Sequence, residues 1–151
     1  GAIINWLSPS DVTQVAGVVR EAAGGVDKEI VARIFCCPSE NAAAVREAGK
    51  FAIAAYLNVP VYAEFHRWLG RGEVLQPMWD AWKAGDRKAA LAAIPDSVVD
   101  ELIVHGSPAE CRAKIKAYFD NGVTTSSLAL LPLDPELKHW DAVRSVAPVA
   151  G

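Results

Sequence analysis

The sequence predicts an α/β protein built on a parallel sheet that is itself part of a larger sheet or closed barrel. Three observations carry this. Apolar runs at Ala2-Ile3-Ile4 with Trp6 and Leu7, at Ile30–Cys37 except for Arg33, and within "SSLALLPL" have the length of strands buried on both faces. Segments with apolar residues at helical spacing separate and follow them, and such alternation favours parallel pairing. Neither Ala2-Ile3-Ile4 nor Leu128–Leu131 carries the charges that normally blunt an edge strand.

The chain opens directly in an apolar run. With the unblunted edges, this leads to the expectation that the sequence is the later part of a longer protein, seen as a fragment or cleavage product. The missing N-terminal barrel half, or another copy of the chain in a homo-oligomer, would then complete the sheet. The 151 residues suit one partial barrel domain over 1–151, and 52% hydrophobic composition supplies a core. Net charge is -3 with both signs interspersed, so neither nucleic acid nor an anionic membrane surface is expected as a partner. No apolar stretch reaches the roughly 18 residues of a membrane span, and no signal peptide is visible, which predicts a cytoplasmic protein. Three cysteines, Cys36, Cys37 and Cys111, form neither a disulfide framework nor a zinc knuckle and read as buried free thiols.

Behind the first strand, Ser8 is placed to cap a helix, with Pro9 at its first position and Asp11 returning the capping bond. Val12, Val15, Ala16, Val19 and Ala22 give that helix an apolar face, and Gly24-Gly25 stops it. The second strand, "IVARIFCC", ends at Pro38-Ser39. A helix is expected from Glu40 to about Leu57, ended by Asn58-Val59-Pro60. Next come short helical pieces: one with Tyr62, Phe65, Trp68 and Leu69, one with Met78, Trp79 and Trp82, then "DRKAALAAIP", then a fourth from Pro95-Asp96 through Val104. A crossover needs only about 10 to 12 residues, so the region from about 40 to 104 reads as a helical insertion over one end of the sheet. "GSPAEC" is the sharpest local signal, with Ser107 as cap, Pro108 first in the helix and Glu110 closing the capping box. That helix runs to a left-handed stop at Asn121-Gly122. After the third strand, a closing helix is expected from Asp134 to Val146, carrying Leu137, Trp140 and Val143.

Several of these stretches together resemble one family. "DELIVHGSPAECRAKIKAYFDNGVTTSSLALLP" is similar to the C-terminal signature of luciferase-like monooxygenases and coenzyme F420-dependent oxidoreductases of the methylenetetrahydromethanopterin reductase type. There a "G-(S/T)-P-E-E-C" helix start, a "Y...AGV" helix end and a final barrel strand follow in this order. "GAIINWLSP" resembles the family's "DGxxxxWLSP" strand end, and "AAYLNVPVYAEFHRWLG" its "YLxxPxYxxxxxxLG" helix pair. The resemblance implies the C-terminal part of a TIM-type (β/α)8 barrel, about three βα units plus the insertion. It also implies hydride transfer between F420, or alternatively FMN, and a small organic substrate.

In such barrels the chemistry sits on loops after the strands. That selects Asn5, Trp6, Leu7 and Ser8, then Cys37, Pro38 and Ser39, then Pro132, Leu133 and Asp134. Asn5, Trp6, Ser8, Tyr56, Tyr62 and Pro132 are the candidate cofactor or substrate contacts, and His66 is a general-acid candidate for a catalytic role otherwise unassigned. No metal site is expected. Each has a plainer reading: Ser8 as a helix cap, Trp6 as a plug of the barrel mouth, His66 as a core-edge residue. Arg67, Arg71, Lys83, Arg87 and Lys88 would suit an anionic cofactor tail or form a solvated face, and His105-Gly106-Ser107 would receive an anion or only cap a helix. The rival to an enzyme is a non-catalytic α/β module whose aromatic insertion, with Trp68, Trp79 and Trp82, mediates protein association.

Overall fold

The computed structural model describes residues 1–147, so the last four residues of the predicted 1–151 domain lie outside the described residues. In chain order the elements are β1 (Ala2–Asn5), α1 (Pro9–Ala22), β2 (Ile30–Cys37), α2 (Ala42–Leu57), α3 (Pro60–His66), α4 (Gly72–Lys83), α5 (Arg87–Ala92), α6 (Asp96–Leu102), β3 (Ile103–His105), α7 (Pro108–Asp120), β4 (Thr125–Leu130) and α8 (His139–Val146). A π-helical turn, Arg67–Arg71, links α3 to α4. The chain divides into two compact units: residues Gly1–Ala42 with those from Glu101 onward, and residues Ala43–Asp100.

The first unit is a parallel sheet with helices on one side. β2 is its central strand: β1 pairs with Ile30–Arg33, β3 with Phe35–Cys37, and β4 with Val31–Cys36. Because the β4 register overlaps both others, β4 occupies one edge of β2, and β1 and β3 follow one another along the opposite edge. Alternation then assigns faces. Ile4, Ala32, Ile34, Cys36 and Val104 lie on the face that receives the helices; the buried Cys36 thiol hydrogen-bonds Cys111 on α7. Ile3, Asn5, Val31, Arg33, Phe35, Cys37, Thr125 and Ser127 lie on the opposite face.

Local chemistry sets the helix ends. Ser8 Oγ accepts from Asp11 N–H at 3.3 Å while Asp11 Oδ2 accepts from Ser8 N–H at 2.7 Å, so two of α1's orphan donors are satisfied reciprocally. α7 repeats the device with Ser107 and Glu110. Gly122, at φ 116°, ends α7 in a conformation that only glycine adopts cheaply.

The second unit is helical. Its core includes Ile53, Leu57, Leu75, Met78, Trp79, Ile94 and Val99. Trp79 donates from Nε1 to Leu57 O at 2.8 Å, which ties α4 to the end of α2. Arg46 and Asp100 form a paired ion contact at 2.9 and 2.7 Å.

Four expectations change. Ile103–His105 is a strand, not the end of a helix: Ile103 and Val104 are fully buried and pair with β2. The closing helix begins at His139, because Asp134 and the residues after it form a turn in which Asp134 Oδ1 accepts from Glu136 N–H. The helix expected from Glu40 starts at Ala42. Trp68, expected in the insertion core, is 47% exposed and stacks on Phe65 at the surface; of the aromatic trio only Trp79 is buried.

Candidate functional site

All strands run the same way, so the ends of β1, β2, β3 and β4 gather Trp6 to Ser8, Cys37 to Ser39, His105 to Ser107 and Leu131 to Asp134 at one mouth. Direct bonds join these loops. The Ser39 hydroxyl donates to Asp134 Oδ2 across the mouth, a buried contact between the loops after β2 and β4. Ser39 Oγ also accepts from Asn41 N–H at 3.0 Å, and Ser39 O accepts from Gly106 N–H at 3.0 Å. Ser39 therefore links three strand ends. Its hydroxyl, with help from Glu136 N–H, holds the Asp134 carboxyl below its ordinary pKa of 3.8. Beside Asp134 lies a small cavity of about 40 Å³, lined by Leu131, Pro132, Leu137 and His139 among others. That is room for about one water molecule.

Trp6 closes the mouth on the β1 side. It is 1% exposed, stacks on Phe35 with ring centroids 3.9 Å apart, and holds φ at 55°. A bulky residue in this region costs energy that the surrounding packing must over-determine, and such outliers cluster at ligand sites. Tyr118 Oη donates to Leu7 O at 2.7 Å and fixes the loop behind Trp6.

Two cysteines differ sharply in surroundings although adjacent in sequence. Cys36 faces α7, where its bond with Cys111 and burial raise its pKa strongly. Cys37 faces the other way, toward the backbone N–H groups of Leu133 and Asp134; burial still raises its pKa. Neither is a thiolate nucleophile near neutral pH.

Of the sequence-selected residues, the structure brings Trp6, Ser8 and Pro132 to the mouth with Ser39 and Asp134, and Asn5 to the top of β1. The Ser8 side chain is engaged by its capping box and by Ser10 Oγ at 2.9 Å. Pro132 is exposed. Tyr56, Tyr62 and His66 lie in the helical unit: Tyr56 and Tyr62 meet edge-to-face at 6.1 Å, and His66 is fully buried beside Phe65. Arg67 stacks over Trp79 at 4.2 Å and Arg87 over Trp82 at 3.8 Å, so two cations of the basic set serve aromatic packing. The Ser39–Asp134 bond was not legible, because 95 residues separate the partners; the only signal was that each follows a strand. Among the described residues, no group of three or more His, Cys, Asp or Glu side chains could hold a metal ion. Among the described residues no helix is long and apolar enough to cross a membrane.

A family model described as luciferase-like monooxygenase matches residues 3–125. Among solved structures, the coenzyme F420 dependent tetrahydromethanopterin reductase from Methanopyrus kandleri superposes with a TM-score of 0.68 at 17% identity, over 95% of this chain and 42% of that one. At that identity the likeness shows the fold, which is a partial β/α barrel. The chain spans less than half the length of that reductase. No curated protein matches the sequence significantly.

Proposed function

The chain belongs to the luciferase-like monooxygenase family, and from that premise we propose that it forms the C-terminal wall of a flavin- or deazaflavin-dependent oxidoreductase. The reaction would be hydride transfer between F420, or alternatively FMN, and a small organic substrate. The observation that carries this reading is the convergence of Trp6, Ser39 and Asp134 at the end of the sheet where β/α barrels place their chemistry. A bound flavin or deazaflavin would supply the hydride chemistry.

The residues at this mouth fit a supporting wall rather than a complete cofactor grip. Trp6 already stacks on Phe35, the Ser39 hydroxyl is given to Asp134, and the Ser8 hydroxyl is given to Asp11. Their part is to shape the pocket, exclude water and hold the loops in register. Gripping groups would come from the segment that completes the barrel, either a missing N-terminal half or another copy. Pro132 and Asn5, whose side chains carry no such bond, are the wall positions open to a ligand.

A second reading has its own support. Phe51, Val61 and Trp68 of the helical unit are 65%, 70% and 47% exposed, which suits a module that associates with a protein partner.

Intact mass and a visible absorption spectrum of the natively purified protein separate the two. A yellow chromophore with a second polypeptide, or with a longer chain carrying this sequence, is the expected result. A colourless single species of 16.1 kDa that quenches the fluorescence of neither F420 nor FMN on titration overturns the cofactor reading.

A further inference from the structure

Two cysteines far apart in sequence meet where α7 packs on the sheet. Cys36 lies on the face of β2 that receives the helices, and Cys111 lies in the first turn of α7. Both are fully buried, and the Cys36 S–H donates to Cys111 Sγ. Cys111 in turn donates to Gly106 O at 3.6 Å. Contact between the two sulfurs is the first condition for a disulfide. Cys37 does not share in it, because alternation along the strand turns its side chain to the opposite face.

The two thiols are not equivalent. The Cys36 S–H and, behind it, the Lys114 ammonium, which is bonded to His105 O at 3.0 Å, hold the Cys111 thiol below its ordinary value, although burial opposes them. A place in the first turn of a helix acts in the same direction. Cys36 is pushed the other way. One sulfur is thus prepared to attack and the other to resolve. Full burial of both excludes a bulky oxidant and selects one near the size of water.

We propose that Cys36 and Cys111 are a dithiol that hydrogen peroxide oxidises to a disulfide between β2 and α7. The Cys111 thiolate attacks one peroxide oxygen, the O–O bond breaks, and Cys111 becomes a sulfenic acid while the departing hydroxide takes up a proton as water. The Cys36 sulfur then attacks the Cys111 sulfur. The S–S bond forms, the S–O bond breaks, and the leaving hydroxyl takes the Cys36 proton as a second water. Two thiols lose two electrons and two protons in total, and one peroxide becomes two waters.

The bond closes a loop from Cys36 to Cys111 that contains the whole helical unit, Ala43–Asp100, and so restricts a long stretch of the unfolded chain. It also takes the S–H donor away from Gly106 O, in a residue whose N–H is bonded to Ser39 O at the mouth. Neither effect depends on the cofactor reading.

The test treats the folded chain with hydrogen peroxide, blocks remaining thiols with iodoacetamide after unfolding, and maps the peptides by mass. The expected product has lost two hydrogens, carries its label on Cys37 alone, and yields one peptide pair joined through Cys36 and Cys111. Dithiothreitol should restore labelling of all three cysteines. The link should form at least about tenfold faster than Cys37 is oxidised. It should raise the midpoint of thermal unfolding by about 5 °C or more. In Cys36→Ala, Cys111 should gain oxygen instead of linking, and in Cys37→Ser the link should form as in wild type. A link through Cys37, a link between two chains, or labelling of all three cysteines after peroxide treatment would each overturn the proposal. Oxygen added to wild-type Cys111 with Cys36 left free would overturn it as well.

Discussion

Ser39 is the residue on which the mouth depends. Its hydroxyl donates to Asp134, its amide and carbonyl engage Cys37 O and Gly106 N–H, and it accepts from Asn41 N–H. Ser39→Ala removes the bond that ties the β2 loop to the β4 loop. The midpoint of thermal unfolding at pH 7 should fall by about 2–4 °C, the scale of one lost hydrogen bond in a chain of this size. The pH dependence gives the prediction its sign. Asp134 is more acidic folded than unfolded, so its contribution is fully present above the ordinary value of 3.8 and is lost as pH falls through the lower folded-state value. The gap between wild type and Ser39→Ala should therefore close as the pH is taken well below 3.8, read by thermal scans across that range. A constant gap at every pH would mean that the serine acts by packing alone. The sequence selected both residues as loop positions after strands, yet nothing local in either says that they touch.

At the scale of the element, short-range chemistry was the part that could be read in advance. The caps of α1 and α7 are written within four residues each, and the structure places Ser8, Asp11, Ser107 and Glu110 in the expected roles. β3 escaped because its three residues are as apolar as a helix end, and only their pairing with Phe35 to Cys37 makes them a strand. The π-helical turn escaped for a related reason: "RWLGR" continues a helical pattern, and the break is carried by Gly70 at φ 89°. Glycines give a paired test. Gly106 joins β3 to α7 at φ 118°, and a Cβ there would lie 2.8 Å from Glu110 Oε2, the carboxylate that closes the capping box. Gly106→Ala should destabilise by about 1–2 kcal/mol from backbone conformation alone, and more if the box opens. Gly17 lies inside α1 with nothing within 4 Å of an added Cβ, so Gly17→Ala should stabilise by about 0.5–1 kcal/mol. Chemical denaturation of the two variants beside wild type checks both. Equal shifts would show that neither backbone conformation nor the capping box governs the junction.

Across the whole molecule, the alternation of strands and helices made the α/β class legible, and the apolar outer strands made an unfinished sheet legible. What could not be read was the place of β3: β1, β2 and β4 lie side by side as sequence succession suggests, and β3 follows β1 along the edge of β2 away from β4. Central position should appear in hydrogen exchange. In a parallel strand successive amides point alternately to the two edges. Those of β2 therefore all find carbonyls, either on β4 or on β1 and β3, except where β1 gives way to β3. β1 and β4 each have one partner, so every second amide faces away from it. In the isolated chain, β2 amides should exchange slowest, by about two orders of magnitude or more relative to the outward-facing amides of β1 and β4. When the barrel is completed by a segment that pairs with those edges, protection should spread to β1 and β4 while β2 changes little. Resolved amide exchange by NMR distinguishes the two sets within a strand. Uniform protection along β1 in the isolated chain would mean that its outer edge is already covered, and the unfinished sheet would then be complete as it stands.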